Sequence, residues 1–284
     1  MPNGKQLLSI LKKTFPLKQA TTELNWIKQE LPESQWMTAV QQRAELKPLQ
    51  YILGTQPFLN FEIDCKPGVL IPRNDTEEWC SELIDIINLS RQDDKRDIKI
   101  MDYCTGTGCI VIGLTMLKNC HSVVGVDFNN KAVELAQRNY EKNEHLIDHT
   151  NMNVSFHHGD LKLLDVPSES KSFDLLISNP PYIPEEDMCQ AGGVEKSVLD
   201  YEPLEALVGD LEFYGQLVKL IPVVQAKAFV FELGYLRQAE ITKSLLSNSW
   251  QCGIRYDSGG RIRNVIGWSD KAYAALQNMC GKML

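Results

Sequence analysis

Four consecutive residues, Asn179-Pro180-Pro181-Tyr182, have the types and order needed for chemistry on a planar nitrogen. They follow the apolar run Phe173-Asp174-Leu175-Leu176-Ile177, which has the composition of a buried strand. Proline cannot donate to a strand ladder, so the strand must stop there and leave a stiff loop at its carboxyl end. A planar –NH2 group finds three partners in such a loop. The Asn179 side-chain oxygen accepts one N–H, the Pro180 carbonyl accepts the other, and the Tyr182 ring covers the plane. Held in this way, the nitrogen aims its lone pair at whatever lies opposite, which is the geometry for in-line transfer of a methyl group. Taken alone, the same four residues also describe an ordinary strand-ending turn.

A second constellation lies upstream. Asp102-Tyr103-Cys104-Thr105-Gly106-Thr107-Gly108 joins an apolar strand to a helix. Its glycines allow a tight turn and close approach to a ligand, and the helix N–H groups that follow can bind a carboxylate. Asp127 ends the next strand, nineteen residues after Gly108, and suits a ribose diol. Gly106 and Gly108 alone could simply start a helix, and Asp127 alone could cap one. Asp160, with Leu161, follows the third strand and would either face an adenine amino group or cap a turn. The GxGxxG fingerprint of dinucleotide binding is absent, so the combination favours a nucleoside-bearing methyl donor.

These residues must be positioned by a sheet. From Ile98 onward short apolar strands alternate with helices. The expected strands are Ile98–Tyr103, Ser122–Asp127, Asn153–His157, Phe173–Ser178, Ala226–Leu233, Gly253–Asp257 and Arg261–Gly267. The expected helices are Cys109–Leu117, Asn130–Asn143, Glu212–Val224 and Arg237–Asn248. Such alternation gives an α/β, doubly wound, mostly parallel seven-stranded sheet. Its last two strands are separated only by Ser258-Gly259-Gly260 and must form an antiparallel hairpin. That outline is the class I methyltransferase fold. Ahead of it, residues 1 to 48 are expected to form short helices broken at Pro16, Pro32 and Pro48. Tyr51-Ile52-Leu53-Gly54 and Phe58 to Ile63 are expected to alternate as a β-hairpin, and Asn74 or Asp75 to cap a helix running to about Leu89.

Composition excludes several classes. The chain has 284 residues, 43% of them hydrophobic and 23% charged, with a net charge of −8, which disfavours a partner held through phosphates. No apolar run approaches the ~20 residues that cross a bilayer. Eight cysteines (65, 80, 104, 109, 120, 189, 252 and 280) contain no CxxC pair, and five histidines show no metal-ligand spacing, so no metal is expected. The first 22 residues carry Lys5, Lys12, Lys13 and Lys18 and no acid, with Leu7, Leu8, Ile10, Leu11 and Phe15 on one helical face. This fits either a mitochondrial import signal, though one lacking arginine, or a plain first helix.

Five segments together resemble one family, the HemK/PrmC protein-(glutamine-N5) methyltransferases, which modify the glutamine of the Gly-Gly-Gln motif in peptide-chain release factors. They are Pro48-Leu49-Gln50-Tyr51-Ile52-Leu53-Gly54, Leu70-Ile71-Pro72-Arg73-Asn74-Asp75-Thr76-Glu77, Asp102-x-x-Thr105-Gly106-Thr107-Gly108, Ile177 to Ile183, and Tyr201-Glu202-Pro203-Leu204-x-Ala206-Leu207. The resemblance implies S-adenosylmethionine as cofactor, with Cys104, Thr105, Gly106, Thr107 and Gly108 around its methionine part and Asp127 on its ribose. It implies that Asn179 contacts cofactor and substrate, and that Pro180, Pro181 and Tyr182 complete a glutamine pocket. Arg73, Asp75 and Thr76 would fix the loop joining a docking domain (1–48) and a hairpin linker (49–72) to a catalytic domain (73–284). The implied partner is a release factor, with no directly bound nucleic acid, no membrane, and a monomeric chain. The implied setting is mitochondrial, with a cytoplasmic alternative. Two departures stand out: Cys104 replaces the usual glycine, and the helical region before Pro48 is short. The rivals are an amino-directed nucleic-acid methyltransferase, which would need a basic groove, and a non-catalytic cofactor-binding adaptor.

Overall fold

The structure is a computed structural model that describes residues 3–92, 96–148, 152–167, 172–188 and 193–284. Cys189 and His149, counted above, lie outside the described residues.

The chain opens with helices α1 (Gly4–Leu11), α2 (Leu17–Glu30) and α3 (Trp36–Ala44), followed by the short α4 (Leu49–Leu53). Pro16, Pro32 and Pro48 separate them as expected, because proline fits the start of a helix and not its interior. Leu7, Leu11, Ala20, Leu24, Ile27, Val40 and Leu49 form a hydrophobic cluster of their own. Leu8, Ile10 and Phe15 pack against it, so the apolar face of the first helix is used inside this unit. A buried pair crosses the unit: Arg43 Nε and Nη2 donate to Glu23 at 2.7 and 2.9 Å. Removing one partner strands the other charge in a dry site, so Glu23→Ala should destabilise the helical unit by about 3 kcal/mol. Chemical denaturation of the full chain, followed by the fluorescence of Trp26 and Trp36, checks this as a separate early transition.

Strands β1 (Thr55–Phe58) and β2 (Phe61–Asp64) form the hairpin. The expectation that Tyr51 to Leu53 join it is corrected, since these residues belong to α4. Pro48 ahead and Gly54 behind are the start and stop signals of a one-turn helix, and they override the apolar alternation. The hairpin packs into the main core through Phe58, Phe61 and Ile63. It is bolted to a later helix, α7 (Asn130–Asn143), by Asn139 and Asn143, whose side chains serve the Asp64 and Glu62 N–H groups at 2.8 and 3.2 Å. Helix α5 (Asn74–Ser90) follows with Arg73 at its N-cap and no side-chain cap, so neither Asn74 nor Asp75 caps it.

The large sheet contains β3 (Ile98–Tyr103), β4 (Cys120–Asp127), β5 (Asn153–His158), β6 (Leu175–Ser178), β7 (Ala228–Glu232), β8 (Gln251–Tyr256), β9 (Ile262–Trp268) and β10 (Lys282–Met283). Between them lie α6 (Cys109–Leu114), α7 (Asn130–Asn143), α8 (Glu185–Met188), α9 (Lys196–Tyr201), α10 (Leu211–Val224) and α11 (Leu236–Leu245). The spatial order is β10-β8-β9-β7-β6-β3-β4-β5. Strands β3 to β7 are parallel, and β8–β9 is the expected antiparallel hairpin. The seven expected strands are joined by a two-residue eighth, β10, along β8. Alternate strand residues feed two separate core clusters, one on each face, as burial of a parallel sheet on both sides requires. Among the described residues, no helix is long and apolar enough to cross a membrane.

Candidate active site

The strand register places the chemistry on one edge. Tyr103, the last residue of β3, pairs with Ser178 of β6 on one side and Val126 of β4 on the other. The next residues, Cys104, Asn179 and Asp127, therefore leave the sheet side by side at its carboxyl edge, where ligands bind in open α/β sheets. Ser178 Oγ donates to the Tyr103 carbonyl at 2.6 Å and ties the two strand ends together.

These ends open into a cavity of about 770 Å³. Of the expected site residues, Cys104, Thr105, Gly106, Thr107, Asp127, Asp160, Leu161, Asn179 and Pro181 line it. Gly106 has φ 56°, and an added Cβ would meet no atom within 4 Å, so the turn leaves a backbone cradle facing open space. Cys104 also adopts a left-handed conformation, φ 65°, a strain that the more usual glycine would not carry. Burial, then the nearby Asp127 charge, pushes its thiol well up. Cys104 thus stays protonated and is not a nucleophile.

Asp127 is buried, and its two oxygens accept the Gly106 and Asn129 N–H groups, each at 2.9 Å. Burial raises its pKa, and those two N–H groups oppose the rise. Each oxygen retains a lone pair, so the carboxylate holds the glycine loop and can still accept from a diol. Asp102 lies beneath: burial pushes it up to about 8 against the Thr105 hydroxyl bond. Its Oδ1, like Thr107 Oγ1, is buried without a hydrogen-bond partner among the described residues. The open cradle, the buried acid and the unfilled polar atoms fit a cationic amino acid joined to a nucleoside.

Three expected residues sit elsewhere. Gly108 lies behind the loop, where an added Cβ would come within 2.8 Å of Ala136 Cβ, so it allows α6 to start against α7 and does not line the cavity. Pro180 is buried behind the lining. Tyr182 turns its hydroxyl toward Glu232 Oε1, 3.3 Å away, and its ring lies against Gly234, so it does not cover the cavity as expected. A largely enclosed phenol needs a polar partner, and the neighbouring strand end supplies one. Asp160 caps the Leu161–Leu163 turn by accepting the Lys162 N–H at 2.8 Å while also lining the cavity.

Residues 94–212 match the model of a methyltransferase domain. A probable mitochondrial MRF1 N(5)-glutamine methyltransferase of Schizosaccharomyces pombe is 38% identical over 288 residues, covering 92% of this chain and 91% of the relative. The mitochondrial MRF1 N(5)-glutamine methyltransferase of Saccharomyces cerevisiae is 37% identical, covering 89% and 80%. A release factor glutamine methyltransferase of Bacillus subtilis is 35% identical, covering 80% and 77%. The chain belongs to the release factor glutamine methyltransferase family. Among solved structures, the N-terminal domain of human METTL16 in complex with SAH aligns with a TM-score of 0.51 at 18% identity, covering 92% and 93%. Its catalytic domain bound to an RNA hairpin aligns with 0.53 at 15% identity, covering 82% and 83%. Both show the class I methyltransferase fold alone.

Within this family fold, two acids to which the sequence assigned no role, Glu232 and Glu202, hold the site together. Glu232 ends β7, and its register partner level is that of Asn179, because Ser178 pairs with Phe231. It is fully buried, and its carboxylate receives the Thr76 hydroxyl and the Trp79 indole N–H, both at 2.7 Å. Burial raises its pKa, while those bonds and the nearby Arg263 charge oppose the rise. A lone acid closing the apolar strand Ala-Phe-Val-Phe-Glu was the same signal that marked Asp127. Glu202 pairs with Arg73 at 2.7 Å and accepts the Ile71 N–H, tying the loop ahead of α5 to the segment after α9. Arg73 therefore fastens the linker, as expected, but from the cavity wall. Asp75 turns away to Arg263 at 2.8 Å.

Proposed function

We propose that this chain transfers a methyl group from S-adenosylmethionine to the side-chain amide nitrogen of the glutamine in a release factor's Gly-Gly-Gln motif. The carrying observation is that Asn179, the Gly106 cradle and Asp127 share one cavity. When bound, the cofactor supplies an electrophilic methyl group on a sulfonium. The Gly106 turn and the Asp127 carboxylate would hold the donor against the sheet edge. Neither Asn179 Oδ1 nor the Pro180 carbonyl receives a hydrogen bond from a described residue, so neither acceptor is already taken; Asn179 faces the cavity, and the Pro180 carbonyl would have to reach the glutamine –NH2 group from the edge of the lining. Accepting its two N–H bonds, they orient the lone pair and stabilise the positive charge that builds on nitrogen. No strong base is needed, because the product amide becomes acidic once methylated and releases its proton to water.

The names of the relatives support this substrate, and the acidic balance of the chain weighs against the nucleic-acid rival. Labelled methyl donor, release factor and the full chain, followed by mass spectrometry of the Gly-Gly-Gln peptide, test it. Label on the glutamine supports the assignment; label only on added RNA or DNA, or none, overturns it.

The helical unit of residues 1–48 is proposed to dock the release factor, acting as a monomer. Its core is separate from the main one, and a bond from Tyr201 Oη to the Glu45 carbonyl, 3.2 Å, bridges it to α9. A chain starting at Pro48 keeps the hairpin that α7 requires. It should bind cofactor normally and methylate a short Gly-Gly-Gln peptide at the full-length rate. On intact release factor its kcat/KM should fall at least about tenfold, the loss of about 1.4 kcal/mol of docking energy. Equal rates on both substrates would remove docking from this unit. A mitochondrial setting accords with the named yeast relatives and the lysine-bearing start. A reporter fused to residues 1–25 should enter the organelle; diffuse cytosolic signal, with the full chain also outside, would favour the cytoplasm.

A further inference from the structure

An asparagine amide has one accepting and one donating end of nearly the same shape. Holding a substrate –NH2 group demands that the oxygen face the cavity. Asn179 Nδ2 lies 3.4 Å from Thr76 Oγ1, a long contact that contributes little to stability. Its chemistry is nevertheless one-sided. The Thr76 hydroxyl has a single proton and gives it to Glu232 Oε2 at 2.7 Å. Only lone pairs remain for Asn179, so the –NH2 end must face Thr76; the flipped amide would set two acceptor oxygens against each other.

Glu232 cannot relax this arrangement. The Trp79 indole, a donor only, occupies the same Oε2 at 2.7 Å, and the Tyr182 hydroxyl donates to Oε1. The carboxylate is fully buried and ringed by donors, so the Thr76 proton has one place to go. We propose that Glu232 and Thr76 are positioning residues for methyl transfer, forming a relay that fixes the Asn179 amide with its oxygen toward the substrate nitrogen. The inference rests on reading Asn179 as the acceptor for that nitrogen.

Thr76→Val keeps the branched shape and removes the proton relay. In the full-length protein, methylating intact release factor, it should lower kcat by about 10- to 100-fold, the scale of a slightly misplaced partner. Cofactor affinity by calorimetry and the melting temperature should stay near wild type, and Thr76→Ser should restore most of kcat. Glu232→Gln should keep most of kcat, because its amide oxygen must still face the Trp79 donor and so still accepts from Thr76, whereas Glu232→Leu, which offers Thr76 no acceptor, should lower kcat likewise. The deciding measurement is coupling. Thr76→Val added to Asn179→Ala should cost nothing further, since the relay acts only through the missing amide, whereas a structural role would add its full effect. Additive losses, or a Thr76→Val kcat within threefold of wild type beside an inactive Asn179→Ala, would overturn the relay alone. An active Asn179→Ala would overturn the site reading and the relay with it.

Discussion

Asn179→Ala lowers kcat for release factor methylation by ~10²–10³-fold, the usual cost of one preorganised partner that acts where charge develops. The substitution removes an acceptor beside the proposed reacting nitrogen and little else. Asn179 makes one long side-chain contact, to Thr76, so the fold should persist with a melting temperature close to wild type. Cofactor affinity should change by only a few fold, because the Gly106 turn and Asp127 are untouched. Single-turnover rates with labelled methyl donor, beside calorimetry of the cofactor alone, separate the two effects. A variant retaining more than a tenth of the wild-type rate would remove Asn179 from the proposed chemistry.

Asp127→Ala acts on the other half of the site and should weaken cofactor binding by about 10²-fold. A charge-assisted hydrogen bond contributes ~1.5–3 kcal/mol, and this carboxylate is placed to accept a ribose diol. A second loss adds to the first. The Gly106 and Asn129 N–H groups, each held at 2.9 Å, lose their acceptor, so the cradle itself loosens. Asp127→Asn is the informative control, since its single oxygen can keep only one of the two N–H groups. It should fall between wild type and alanine. Affinity for release factor, measured without cofactor, should be unchanged, because the Asp127 carboxylate bonds the Gly106 and Asn129 N–H groups and no residue of the helical unit. Unaltered cofactor affinity in the alanine variant would exclude Asp127 from the site.

Local chemistry made much of this protein legible in its sequence. The α7 helix was bounded to the residue, Asn130–Asn143, because a strongly amphipathic run starts after the capping side chain of Asn129. The strand ends carrying Cys104, Asp127 and Asn179 were legible because apolar runs stop at glycine, acid or proline. The expectation at Tyr51–Leu53 failed where two local signals competed, and the Pro48 and Gly54 boundaries outweighed three residues of alternation.

Partner choice was not legible. Tyr182 was expected over the substrate, yet it bonds a carboxylate fifty residues later in the chain. Thr76 was expected to fix the linker loop, yet it serves Glu232 at a separation of 156 residues. Both outcomes follow from strand order. Because β6 lies between β3 and β7, its end meets Cys104 on one side and Glu232 on the other. The sequence by itself determined which segments become strands and helices and which side chains end them, since hydrophobic period and turn chemistry act over a few residues. Only the tertiary structure decided which strand ends become neighbours, which way the Asn179 amide faces, and that an acid at residue 232 is buried among donors. Those results depend on crossovers of tens of residues, and no local window of sequence encodes the contacts they create.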